Sequence, residues 1–131
     1  MLERLLDSVI LIDHFNDITK ATEFILGLDP EKTSISVISR AEILVGFDKS
    51  CIEKATLLLD QYRLLIIDKD IADSAAELRR LYGWKLPDAF QAALALHHKI
   101  KLSTRNTKDF DPEKHSFAEI PYKLINKNYK L

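Results

Sequence analysis

Cysteine is almost missing from this chain: Cys51 is the only one, so no internal disulfide can form. A lone thiol fits a reducing compartment. Glycine and proline are scarce, at 3 and 4 in 131 residues, which leaves no room for a flexible linker or a low-complexity tract. No apolar run approaches the roughly 20 residues needed to span a bilayer. The opening MLERLLDSVILID lacks the basic start and small-residue cleavage site of a signal peptide. These absences lead us to expect a cytoplasmic protein. Also missing are the HExxH and CxxC ligand patterns and the glycine-rich phosphate loop, which removes the commonest zinc, redox and nucleotide-binding signatures.

What is present reads as one α/β domain over residues 1–131. The chain is long enough to bury a core without staples. The formal net charge of −1 hides an asymmetry. From Lys99 onward basic residues outnumber acids eight to four, so the first 98 residues are the acidic part. A basic C-terminal third beside an acidic site can hold a polyanion. A solvated lysine-rich end is the plainer alternative.

Short apolar stretches alternate with helical stripes, the pattern of a parallel α/β sheet. Leu5–Ile12 has the composition of one long strand, but that would bury Asp7 in mid-strand at a high desolvation cost. A strand ending near Leu6, with Asp7 and Ser8 turning into a helix through Ile12, avoids it. Ala21, Phe24, Ile25 and Leu28 mark a helix ending near residues 27–30. Thr33–Ile38 predicts a strand, after which Ser39 is placed to cap a helix carrying Glu42, Ile43 and Leu44. Cys51, Ala55, Leu58, Leu59 and Tyr62 form another helical stripe, Leu64–Ile67 a buried strand, and Ile71, Ala75, Leu78 and Tyr82 a further helix stopped by Gly83. Pro87 suits the first turn of a helix rich in alanine. Lys101–Ser103 and Lys123–Asn126 are the last strand candidates.

Four acids fall at or near junctions where helices begin: Asp7, Glu42, Asp88 and Asp109. Singly, Asp7 and Asp109 are explained as caps or turn formers. Glu42 reads as a solvated helix position, and Asp88 as a carboxylate favoured by a helix dipole. Jointly they make a different case. An open parallel sheet gathers its ligands at the carboxyl ends of its strands. Carboxylates collected there, without cysteine or histidine, form an oxygen-donor site suited to Mg²⁺ or Mn²⁺ and to phosphoryl chemistry. Ser8 and Thr104 are placed to orient ligands or simply to shape turns. Tyr82 and Trp84 beside Lys85 read as packing residues or as a stacking platform for a base. The histidines have no ligand spacing.

LLDSVILID, SVISRAEILVGF, LPDAFQAALAL and LSTRNTKDF occur in an order similar to that of the PIN-domain nucleases, and most closely resemble the VapC-like toxins of toxin–antitoxin pairs. The resemblance spans about residues 4–126. It implies a PIN-like three-layer fold, with a parallel sheet of about five short strands flanked by helices. It implies an Mg²⁺-dependent endoribonuclease with Asp7, Glu42, Asp88 and Asp109 as catalytic acids. Asp7, Asp88 and Asp109 would be metal ligands. It further implies an RNA substrate, a cognate antitoxin that inserts a basic side chain among the acids, and a homodimer formed through apolar surface near Phe24 and Leu58. Two departures stand out. The family usually begins Asp-Thr-Asn where this chain has Asp7-Ser8-Val9, which keeps a hydroxyl and loses an amide. Some relatives also carry an acid where Asn106 stands, whereas here Asp109 can take that charge and Asn106 can act as a neutral ligand or orienter.

A second hypothesis is a protein-binding module of the same fold with a decayed site, kept open by Val9. A phosphoacceptor receiver domain fits less well, because no paired acids stand early in the chain.

Overall fold

The computed structural model describes residues 1–124. Five strands form one parallel sheet: β1 Arg4–Leu6, β2 Thr33–Ser36, β3 Arg63–Leu65, β4 Lys101–Ser103 and β5 Ala118–Glu119. Their spatial order is β3-β2-β1-β4-β5. The helices are α1 Ser8–Phe15, α2 Thr19–Leu26, α3 Val37–Val45, α4 Ile52–Leu59, α5 Lys69–Tyr82 and α6 Leu86–His98. A 3-10 turn over Pro30–Lys32 leads into β2.

The sheet is buried on both faces, as parallel sheets require. Side chains alternate across a strand, so neighbours Leu5 and Leu6 enter different cores. Leu5 packs with Ile71, Ala75, Ala92, Leu94 and Leu102 on the α5–α6 side. Leu6 packs with Ile10, Leu11, Ile25, Ile35, Ile43 and Leu59 on the side of α1 to α4. Three layers result. Alanines at 89, 92, 93 and 95 are all buried and let α6 lie close to the sheet. Among the described residues no helix is long and apolar enough to cross a membrane.

Sequence periodicity located most elements, and four readings need correction. β2 stops at Ser36, two residues early, because Ser36 leaves the strand to cap α3: its Oγ accepts from the Ser39 backbone N–H at 3.0 Å. Ser39 is therefore not the cap but a buried polar residue inside the helix. β3 covers Arg63–Leu65 rather than Leu64–Ile67; as the sheet edge it leaves Leu64 and Ile66 exposed. The fifth strand is Ala118–Glu119, paired with Leu102 and Ser103. Two residues are too few to show alternation. Of the expected Lys123–Asn126 strand, Lys123 and Leu124 lie outside any strand, and Ile125 and Asn126 lie outside the described residues. Finally, the apolar surface expected near Phe24 and Leu58 is formed by their neighbours rather than by those two half-buried residues. Both pack against the α1–α4 core, while Leu26, Val45 and Leu57 point to solvent.

Candidate active site

The strand order reverses at β1. From it the chain adds β2 and β3 on one side, then crosses back to add β4 and β5 on the other. Crevices form at such a switch point, outside the carboxyl ends of the strands. The ends in question are Leu6 and Ser103, paired in register, and the next residues are Asp7 and Thr104. The Asp7 backbone N–H donates to the Ser103 carbonyl at 2.9 Å, which carries the strand pairing up to the acid.

Asp7 occupies the N-cap position of α1, yet its side chain makes no capping bond. The carboxylate turns instead into the protein and is buried. Its Oδ2 accepts from the Thr104 hydroxyl at 2.7 Å and its Oδ1 from the Gln91 amide at 3.3 Å. Burial pushes its pKa up, and these two bonds with smaller help from Ser8 oppose the rise. The capping explanation of Asp7 therefore fails. Capping elsewhere is ordinary: Asp68 accepts from the Ile71 N–H at 3.0 Å to begin α5.

Asp88 sits half-buried in the first turn of α6, where no side-chain cap closes the helix. Burial pushes its carboxyl up to about 6; the negative charges of Asp7, Asp109 and Glu42 push in the same direction, and Lys85 opposes them. Four acids from four separate segments thus share one electrostatic neighbourhood around Asp88. Asp109 is held by Asn106, whose amide donates to Oδ2 at 2.9 Å while its Oδ1 accepts from the Asp109 N–H at 3.2 Å. Glu42 lies exposed on α3. Asp7 and Asp88 line an open cleft of about 470 Å³ together with Ser8, Val9, Asn106 and two cations, Arg105 and Lys108.

Sequence reasoning passed over several groups. Gln91 is buried in α6 and bridges Asp7 to Ser39, whose Oγ accepts at 2.6 Å. Its signal was faint: one polar residue in a helix of alanines, three positions after Asp88. Thr104, open in sequence to an orienting or a turn role, holds Asp7 and also accepts from the Asn106 N–H at 3.1 Å. Asp13, buried on α1, binds Arg105 through two bonds of 2.7 and 2.9 Å and accepts from the Tyr122 hydroxyl at 2.8 Å. That network anchors the loop after β4 beside the acids. Trp84 is buried, with Tyr82 stacked on it at 4.5 Å and His115 against both rings.

The donor chemistry suits a hard divalent cation, because every candidate ligand is an oxygen and the charges of Asp7, Asp109 and Glu42 hold the Asp88 carboxyl above its ordinary value. Among the described residues, however, no three acids stand close enough to hold one ion together. Mg²⁺ tolerates that arrangement, since it keeps several waters and uses one or two direct carboxylates.

A model of the PIN domain matches residues 4–111. The chain belongs to the PIN-domain family. A chain of a toxin–antitoxin complex from Klebsiella pneumoniae is 36% identical to this PIN domain, with a TM-score of 0.83 and coverage of 93% of this chain and 100% of that one. FitAcB from Neisseria gonorrhoeae shares the fold at 20% identity, with a TM-score of 0.72 and coverage of 90% and 97%. DNA-bound VapBC from Salmonella typhimurium does so at 20% identity, with a TM-score of 0.68 and coverage of 85% and 92%. No curated protein is significantly similar in sequence.

Proposed function

We propose that this PIN domain is a divalent-metal-dependent endoribonuclease and the toxin of a toxin–antitoxin pair, acting in the cytoplasm. The observation that carries the reading is that Asp7 and Asp88 line one cleft at the switch point of the sheet, where the charges of Asp7, Asp109 and Glu42 add to burial in pushing the Asp88 carboxyl up to about 6. Asp7, Asp88 and Asp109 would hold Mg²⁺ or Mn²⁺, directly or through water, and Glu42 would position water. When bound, such an ion polarises a phosphodiester and eases deprotonation of the attacking water. The chain's own residues supply the rest. Thr104 and Gln91 keep Asp7 oriented, Asn106 keeps Asp109 in place, and Arg105 and Lys108 at the cleft wall attract the RNA backbone.

The antitoxin role rests on the complexes in which similar chains occur. The acidic cleft accepts an arginine or lysine from such a partner. Exposed Leu26, Val45 and Leu57 offer apolar surface for it or for a second copy. A binding module without catalysis is the second reading. Val9 in the cleft wall and the lack of a close group of three acids favour it.

Cleavage of RNA by the purified chain decides between them. Activity should need Mg²⁺ or Mn²⁺, stop in chelator, and fall by most of its rate in Asp7→Asn and in Asp88→Asn. Full cleavage in chelator, or by the double variant, would overturn the site as described. No cleavage under any metal, with an antitoxin still bound, would establish the binding module.

A further inference from the structure

We propose that Gln91 is the positioning residue of this site: it fixes the Asp7 carboxylate and ties together the two helices that carry Asp88 and Glu42. The inference rests on the metal-dependent reading above and adds to it a residue outside the acid set.

Gln91 is 2% exposed, on a helix whose other buried positions include Ala89, Ala92, Ala93 and Ala95. An apolar side chain would be the easy choice there, because a buried amide must find partners for all its polar atoms. Gln91 finds only some. Its Nε2 donates to Asp7 Oδ1 at 3.3 Å and to Ser39 Oγ at 2.6 Å. Its Oε1 is buried without a partner among the described residues. A group that leaves an acceptor unmet contributes poorly to folding. Its bonds go instead to a site acid and to the helix that bears another.

The register explains what those bonds do. Gln91 follows Asp88 by three residues in α6, and Ser39 precedes Glu42 by three in α3. Residues three apart share a helix face. The two helices belong to opposite layers, with Ala92 in one core and Ile43 in the other. The Gln91–Ser39 bond therefore joins the layers past the end of β1, with Asp7 on the same amide nitrogen. One side chain thus joins Thr104 in fixing the rotamer of the first acid and ties together the helices that carry two others.

Gln91→Met keeps length and bulk and removes both bonds. Mn²⁺ binding to the full chain, measured calorimetrically, should weaken by about 10-fold or more, the usual effect of losing a group that orients a metal ligand. In RNA cleavage kcat should fall with KM unchanged. In chelator the variant should melt at or above wild type, since the unmet acceptor is gone. Ser39→Ala leaves the bond to Asp7 and cuts the tie to α3, so it should show a smaller loss of the same sign. A folded Gln91→Met with wild-type Mn²⁺ affinity overturns the proposal, whatever its melting temperature. If Gln91→Met does not fold, unchanged Mn²⁺ affinity in Ser39→Ala overturns it. Wild-type chain that binds no Mn²⁺ defeats the metal-dependent reading itself and this inference with it. Wild-type binding that is lost in Asp7→Asn upholds that reading independently of Gln91.

Discussion

Asp88→Asn separates function from folding at the cleft. The Asp88 carboxyl is pushed from its ordinary 3.8 to about 6 by burial and by the charges of Asp7, Asp109 and Glu42. The native state therefore holds this proton more tightly than the unfolded chain does. Well below its ordinary 3.8 the group is protonated in both states and costs nothing. As pH rises from about 4 to about 6 the native state is destabilised relative to the unfolded one, and above about 6 the cost is complete. A tenfold change in proton affinity is worth about 1.4 kcal/mol, so full shielding from water would give about 3 kcal/mol. Asp88 is only half-buried, and solvent screening reduces this to about 1–1.5 kcal/mol. Removing the charge should then raise the melting temperature of the metal-free protein by roughly 3–6 °C at pH 7 for a domain of this size. The gain should shrink to a small fraction by pH 4 and vanish by about pH 3. The same change should shrink the stabilisation given by Mg²⁺ or Mn²⁺, which follows the affinity of the folded state for the ion. Thermal melts in chelator and in metal, at pH 3, 4, 5.5 and 7, measure all of this. Should Asp88→Asn melt well below wild type in chelator at pH 7, the charge is serving the α6 dipole and the repulsion argument is wrong.

Arg105→Ala would strip Asp13 of its ion pair while that carboxylate stays buried, and should cost roughly 2–4 kcal/mol in urea unfolding; no loss would show that Tyr122 alone satisfies Asp13. Thr104→Val removes the donor to Asp7 and the acceptor for the Asn106 N–H, so it should cost about 1–3 kcal/mol and lower nuclease activity as well. Gly83 ends α5 at φ 74 with nothing within 4 Å of an added Cβ, so Gly83→Ala should cost about 1 kcal/mol from backbone conformation alone, read from the denaturant midpoint. Light scattering should give a dimer for the isolated chain at tens of micromolar, on the order of ordinary interface affinities; a strict monomer would count against the expected self-association.

Local physics made much of this protein legible. The 3.6-residue stripes of α2, α4 and α5, the glycine after Tyr82 and the proline in the first turn of α6 are decided within a few neighbouring residues. β1 ends at Leu6, as the cost of burying a carboxylate in mid-strand suggests, although Asp7 is buried all the same, held by Thr104 and Gln91. Asp7 and Asp88 do stand where α1 and α6 begin, whereas Glu42 lies well inside α3 and Asp109 in a turn that starts no helix. That their oxygens serve a metal ion is our proposal.

Other features belong to contacts between distant parts of the chain. β5 is two residues long and exists only because β4 offers it a partner. Ser39 looked like a cap because its intrinsic preference is to cap, but Ser36 stood at the true end of the strand and Gln91, 52 positions away, claimed the Ser39 hydroxyl. Asp7 stands where a cap would stand; only the arrival of Thr104 and Gln91 turns it inward. The raised pKa of Asp88 is likewise tertiary: it comes first from burial and then from the charges of acids on other elements. Sequence by itself determined the helices and the first four strands to within a few residues and which residue types are available for chemistry, because these depend on short-range sterics and hydration. Tertiary structure alone decided which polar groups meet, because hydrogen bonds and charge repulsion act through space over a few ångströms and are blind to separation along the chain.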